Sequence, residues 1–114
     1  MPDQRSLYID GAALPWRDTP FRGVQWKKLH FDPQSGDSAV LLRFAAGASY
    51  GTHLHPQGEE YLVIEGSLQD GGATYGSGTW VRHPPGSIHR PASPAGCVLF
   101  VRLPRPIEMV AAES

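Results

Sequence analysis

His53, His55, Glu59 and His89 are the residues of this chain whose types and spacing best suit chemistry, because together they could close three imidazole nitrogens and one carboxylate oxygen around a single divalent ion. His53 and His55 lie two apart, so on an extended strand they project from the same face. Pro56-Gln57-Gly58 reads as a turn that returns Glu59 to that face. The fourth group comes from a distant stretch, GTWVRHPPGSIH, where Pro84-Pro85-Gly86 turns the chain and feeds His89 onto a strand beside the first pair. A His-x-His pair alone is equally well explained by two polar residues on a solvent face; the four groups together favour metal. With five or six positions around the ion, one or two stay open for a ligand, and iron, manganese or nickel could then hold a bidentate small molecule and dioxygen. Tetrahedral zinc would be closed by the same four groups, which suits structure or sensing. The imidazoles must be neutral to coordinate, so apparent metal affinity is expected to fall below about pH 6.5.

The elements that must position these groups read as short strands. The chain holds 13 glycines and 11 prolines in 114 residues, and they fall between short apolar runs, the punctuation of an all-β antiparallel domain. No amphipathic helix emerges. Strands are expected at Val24–Phe31, Ser38–Ala45, Thr52–His55, Glu60–Glu65, Ser67–Asp70, Ala73–Tyr75, Thr79–Arg82, Ile88–Arg90 and Gly96–Leu103. Asp70-Gly71-Gly72 is a strong hairpin turn, since glycine supplies the positive φ that a twisted two-strand connection needs. Residues 1–20 read as an arm laid over the barrel or a partner, 23–103 as the barrel, and 104–114 as a tail, all within a single domain.

Net charge is −1 and the ten Lys and Arg are scattered, so neither nucleic acid nor an anionic membrane is favoured as partner. The N-terminus MPDQRSLYIDGAALPW carries Asp3 and Asp10 and no apolar core segment, which points to a cytoplasmic chain. With Cys97 alone, neither an internal disulfide nor a cysteine-based zinc site can be assembled, and any metal must be held by nitrogen and oxygen.

Two stretches carry a family resemblance. From Gly47, five residues precede His53, then come one residue, His55, three residues, Glu59, six residues and Gly66, a pattern similar to the first cupin motif. From Gly78, five residues precede Pro84, then one residue, Gly86, two residues and His89, which looks like the second cupin motif, with Ser93 where the family often has Asn. The stretches HLHPQGEEYLVIEGSLQD, GTWVRHPPGSIHRPASPAGCVLFVRL and GVQWKKLHFD more narrowly resemble the C-terminal cupin domain of ChrR-type anti-sigma factors and their stand-alone relatives. The resemblance implies a small jelly-roll-like barrel, a double-stranded β-helix, in which His53, His55, Glu59 and His89 bind zinc or a similar divalent ion. Anti-sigma activity in that family belongs to a separate helical domain with cysteine ligands, so it is not carried over. Two functions follow: a metal-binding cupin that holds a small molecule at the ion with dioxygenase-type chemistry, or a non-catalytic zinc-bound sensory or regulatory module. Unpaired strand edges and the arm suggest a homodimer.

The remaining candidates have plainer readings. Glu60 is the rival carboxylate, but alternation sends it opposite Glu59, so it is expected to be solvated. Tyr61 and Val63 share the parity of Glu59 and are expected to line the interior as pocket residues, which in a small barrel is also the core. His83 is expected to cap a loop, with orientation of a metal ligand as the alternative. His30 should share the face of Trp26 and Lys28, partly exposed. Cys97 reads as a buried, inert thiol. Arg43 and Arg102 should point outward, with anchoring of an anionic substrate the alternative.

Overall fold

A computed structural model describes residues 5–110 of the chain. It is all-β: a curled antiparallel sheet closed by a second, smaller one, with a single 3-10 turn at Gly11–Ala13. In chain order the strands are β1 (Arg17–Asp18), β2 (Val24–Phe31), β3 (Ser38–Phe44), β4 (Ala48–Ser49), β5 (His53–His55), β6 (Glu59–Asp70), β7 (Ala73–Gly76), β8 (Trp80–His83), β9 (Ser87–His89), β10 (Ala92–Ser93), β11 (Cys97–Leu103) and β12 (Glu108–Met109). The main sheet runs β1-β2-β3-β11-β6-β10-β4, with β7 and β8 also paired to β6, and the small sheet runs β12-β5-β9.

Alternation along the strands builds the interior. One row of cross-strand partners runs Lys28, Val40, Val101, Tyr61 and Val81 through β2, β3, β11, β6 and β8, and the next inward row carries Trp26, Leu42, Leu99 and Val63. Phe44, Tyr61, Val63, Leu68, Leu99 and Val101 are buried and form the core with Val24, Ala48, Tyr50 and Cys97. Cys97 is therefore buried as expected, and burial raises its thiol pKa.

Three features depart from the expected elements. The segments 60–65 and 67–70 form one strand, because the bend between them is absorbed inside β6. Val98 pairs with Glu65 and Leu99 with Val63, leaving Ile64 as an extra residue in a bulge. Gly66 follows with φ +73°, and a Cβ there would lie 2.1 Å from the Gly96 carbonyl oxygen, so the local path admits only glycine. Second, a register shift between Lys28 and His30 ends the alternation of β2, and His30 is exposed rather than continuing the face of Trp26 and Lys28. Third, the stretch from Pro104 does not trail off at once: β12 pairs with β5, Glu108 opposite Leu54 and Met109 opposite His53. The expected arm packs on its own sheet. β1 pairs with β2, Lys27 Nζ donates to the Gly11 carbonyl at 2.8 Å, and Arg43 lies over the Trp16 ring at 4.3 Å. No helix among the described residues is long and apolar enough to cross a membrane.

Candidate metal centre

Strands β5 and β9 bring the two halves of the histidine cluster together, with His53 directly opposite His89 and His55 opposite Ser87. The turn that follows His55 is tight, with Gly58 N–H donating to the His55 carbonyl at 3.2 Å and the Gly86 N–H to the same oxygen at 2.8 Å. Gly58 has φ +83° and a Cβ would meet the His83 carbonyl at 2.7 Å, so a glycine is required to deliver Glu59. His53, His55 and Glu59 are buried, and one nitrogen from each of the three histidines lies within 4.8 Å of the others and of a Glu59 carboxylate oxygen.

The hydrogen bonds decide which ring atoms face inward. His53 Nδ1 meets the Gly51 carbonyl at 2.7 Å, and His89 Nδ1 meets Asp70 Oδ1 at 2.9 Å. Both partners only accept, so each Nδ1 carries the proton and each Nε2 is left with a lone pair. His55 Nδ1 is engaged by Ser87 Oγ at 3.0 Å. The consequence is a pair of acceptors, His53 Nε2 and His89 Nε2, facing each other beside the Glu59 carboxylate. His53 Nε2 and His89 Nε2 approach to 2.9 Å, His55 Nε2 lies 3.3 Å from Glu59 Oε2, and His89 Nε2 lies 3.6 Å from Glu59 Oε1. His55 Nε2 is buried with no hydrogen-bond partner, and Glu59 accepts no hydrogen bond among the described residues. Lone pairs and a carboxylate packed this closely need a positive charge between them. A proton could serve one pair, but burial, the largest influence, lowers His53 from 6.5 to about 4, which disfavours a charged ring there at neutral pH. The donor set fits a divalent ion of intermediate hardness.

Behind His89 stands a residue the sequence reading passed over. Asp70, taken only as the first residue of a hairpin turn, is buried and accepts from Tyr61 Oη at 2.7 Å, His83 Nε2 at 2.8 Å and His89 Nδ1 at 2.9 Å. Burial alone would raise its carboxyl, but these hydrogen bonds outweigh that and hold it well below the usual carboxylate range. Tyr61 is driven upward by burial and by the same bond. Asp70 has even parity where Glu59, Tyr61 and Val63 have odd, so simple alternation puts it outside; the β6 bulge reverses the phase and brings it in. The bulge was the missing clue, and Gly66 its trace in sequence. His83 lies at the end of β8 on Asp70 rather than capping a loop, its ring stacked 5.8 Å from His55. Glu60 turns away towards Arg82 and Arg102 in register. Arg102 pairs with Asp37 at 2.9 Å on the surface, and Arg43 bonds to Gln25, so neither reaches the cluster.

His53, Glu59 and His89 line a cavity of about 370 Å³ whose walls include Trp26, Val40, Leu42, Leu99 and Val101, with His55 behind them. Tyr61 lines it beside Glu59; Val63, fully buried, packs in the core. Phe21 and Tyr50, with ring centroids 4.4 Å apart, complete the wall next to His53. This arrangement can hold an ion and offer its open side to a small, largely apolar molecule.

Known proteins share this fold. The chain is 26% identical over 73 residues to an acetylacetone-cleaving enzyme of Acinetobacter johnsonii, across 59% of this chain and 48% of that protein, so it spans about half the length of this curated relative. A structure from Methylibium petroleiphilum PM1, provisionally assigned as an acetylacetone dioxygenase, superposes with a TM-score of 0.90 at 20% identity, covering 97% of this chain and 85% of that one. The anti-sigma complex of Rhodobacter sphaeroides SigE with ChrR matches with a TM-score of 0.69 at 23% identity, over 81% of this chain and 49% of the other. At these identities the solved structures establish the cupin fold. The family model described as the ChrR cupin-like domain matches residues 4–105, and the chain belongs to that family.

Proposed function

We propose that the protein is a small-molecule metallocupin, holding one divalent transition ion through His53, His55, Glu59 and His89 and binding a chelating substrate at the ion's open side. The observation that carries this reading is the convergence of three imidazole nitrogens and a buried carboxylate that accepts no hydrogen bond among the described residues, beside an apolar cavity of about 370 Å³. A cavity of that size is what a small organic ligand needs and what a purely structural ion does not. When bound, a divalent ion of this kind supplies Lewis-acid polarisation of chelating oxygens and, if redox-active, access to dioxygen chemistry.

The chain's own residues do the rest. Gly51, Ser87 and Asp70 fix the three rings with their Nε2 atoms inward. Val40, Leu42, Leu99 and Val101 exclude water from the bound molecule. The similarity to an acetylacetone-cleaving enzyme supports a dioxygenase-type cleavage of a β-diketone or related enolisable compound. The ChrR-like family match supports the second reading, a zinc-bound module without turnover. The test is oxygen consumption by protein reconstituted with iron, manganese, nickel or zinc, against β-diketones, enediols and short keto acids. Uptake with a redox-active ion is expected; silence throughout, with one tightly held zinc, would replace the enzyme with the sensor. We also infer a homodimer, supported by the exposed neighbours Leu62 and Trp80 on the outer face of β6 and β8. Sedimentation at micromolar concentration tests it, and a monomer throughout would remove it.

A further inference from the structure

The cavity has two unlike ends. His53 is 3% exposed, whereas Lys28, Phe31 and Pro106, which line the other end, are all exposed. That end is the mouth. Lys28 belongs to the inward row that continues through Val40 and Val101 to Tyr61, three strand spacings away, or about 14 Å between backbones. Its ammonium lies 4.6 Å over the ring of Trp26, another inward residue lining the cavity, and no carboxylate among the described residues comes within ion-pair distance of it. Among the described residues it is the one Lys or Arg side chain on the cavity wall. The neighbouring Lys27 faces the other way, bonded to the Gly11 carbonyl and set over Trp16.

We propose that Lys28 makes the cavity selective for small acids, taking the substrate's carboxylate at the mouth while an enolisable, chelating end reaches the histidine cluster. This rests on the metallocupin reading and adds the substrate class. The electrostatics orient such a molecule. The chelating end occupies the ion's open side, the Lys28 ammonium at the mouth attracts the distal anion, and the apolar walls between them favour an aliphatic body. Trp26 holds the ammonium at the rim by its ring face, so little side-chain freedom is lost when the acid arrives. A spacer of about five methylenes is chosen to join the two ends.

The probes are a β-diketone carrying a carboxylate at the end of a five-methylene chain and the same compound as its neutral primary amide. Binding of each is measured by calorimetry to nickel-loaded full-length protein with dioxygen excluded, because nickel can take further ligands beyond the four protein groups and turnover is avoided without dioxygen. The acid is expected to bind the wild type three- to tenfold more tightly than the amide at low ionic strength, with the ratio shrinking in roughly 0.5 M salt. Lys28→Met should bring the ratio to about one and Lys28→Glu should invert it, while Lys27→Met should leave it as in the wild type. Equal binding of acid and amide by the wild type, or a preference untouched by Lys28→Met, overturns the assignment of Lys28 and leaves the metal site standing. Failure of both probes to bind the nickel-loaded wild type overturns the chelation reading itself, and the proposal with it.

Discussion

Two carboxylates are buried at opposite ends of strand β6, and they live in opposite chemical surroundings. Glu59 faces His89 Nε2, which has only a lone pair to offer, and His55 Nε2, and it accepts no hydrogen bond among the described residues. Asp70 is saturated by donors from Tyr61, His83 and His89. One carboxylate is complete without anything further, and the other is complete only with a cation. The contrast separates a group that binds from a group that supports, although both belong to one strand and both touch His89.

The largest expected effects come from exchanging those roles. Asp70→Ala strands three donors in a buried site and should destabilise the protein by about 3–5 kcal/mol in urea denaturation. Glu59→Gln in metal-free protein relieves the repulsion between acceptors, so stability should stay within about 1 kcal/mol of the wild type or rise. The order reverses for metal: Glu59→Gln should weaken affinity by about a hundredfold or more, against about tenfold to a hundredfold for Asp70→Asn, read by competition with a chromophoric chelator. If Glu59→Gln destabilises metal-free protein as much as Asp70→Ala does, the carboxylates are not distinguished as argued.

The bulge that lets β6 present both groups can be broken directly. Gly66→Ala forces a side chain into the left-handed region and against the Gly96 carbonyl. A loss of about 2–3 kcal/mol is expected. Because the bulge sets the phase of Leu68 and Asp70, the variant should also lose the Asp70 contact to His89, seen as a shift in the His89 ring resonances, while the His53 resonances move less. Equal disturbance of both would mean that the two halves of β6 are not separable.

Acid should separate the two ends as well. The native pKa of His53 is lowered from 6.5 to about 4, so between those values the unfolded chain binds a proton that the native state refuses. Stability of the metal-free protein therefore falls as pH drops from 6.5 to 4, by on the order of 3 kcal/mol at full effect. The Asp70 carboxyl is depressed instead, so its contribution is intact above the ordinary carboxylate value near 3.8 and is lost only as pH falls below it. His53→Gln should flatten the upper window and leave the lower one. A wild-type profile already flat from 6.5 to 4 would contradict the burial of an uncharged ring.

The same asymmetry explains what could be read from the chain. Glu59, His53 and His55 follow simple alternation and a glycine-bearing turn, and His89 follows a Pro-Pro-Gly turn, so spacing alone gathers them, and the strands from Val24 to Leu103 follow from apolar runs bounded by Gly and Pro. Asp70 was hidden by two overlapping roles. It opens a two-glycine hairpin, sufficient reason for an aspartate, and its inward direction depends on an extra residue at Ile64 that no period-two pattern reveals. The pairing of β12 with β5 was hidden for a different reason: two residues are too short to carry a pattern, and their place is set by the edge of the small sheet.

The smallest expected effect tests the link between the two ends most finely. Tyr61 lies two residues after Glu59 on the same inward face, yet its hydroxyl reaches across to Asp70. Tyr61→Phe keeps the ring, and therefore the cavity wall, while removing one of the three donors. The loss should be about 1 kcal/mol, the net worth of a hydrogen bond to a charged acceptor once the other two donors remain. Asp70 then depends more heavily on His83 and His89, its carboxyl pKa rises towards the ordinary value, and the lower acid window, which still opens near 3.8, should close at a higher pH and cost less stability than in the wild type. Metal affinity should change by less than about threefold, since the His89 contact to Asp70 is kept. A tenfold loss of metal on removing this hydroxyl would mean that Tyr61 acts on the ion rather than through Asp70, and the division between binding and supporting carboxylates would have to be redrawn around it.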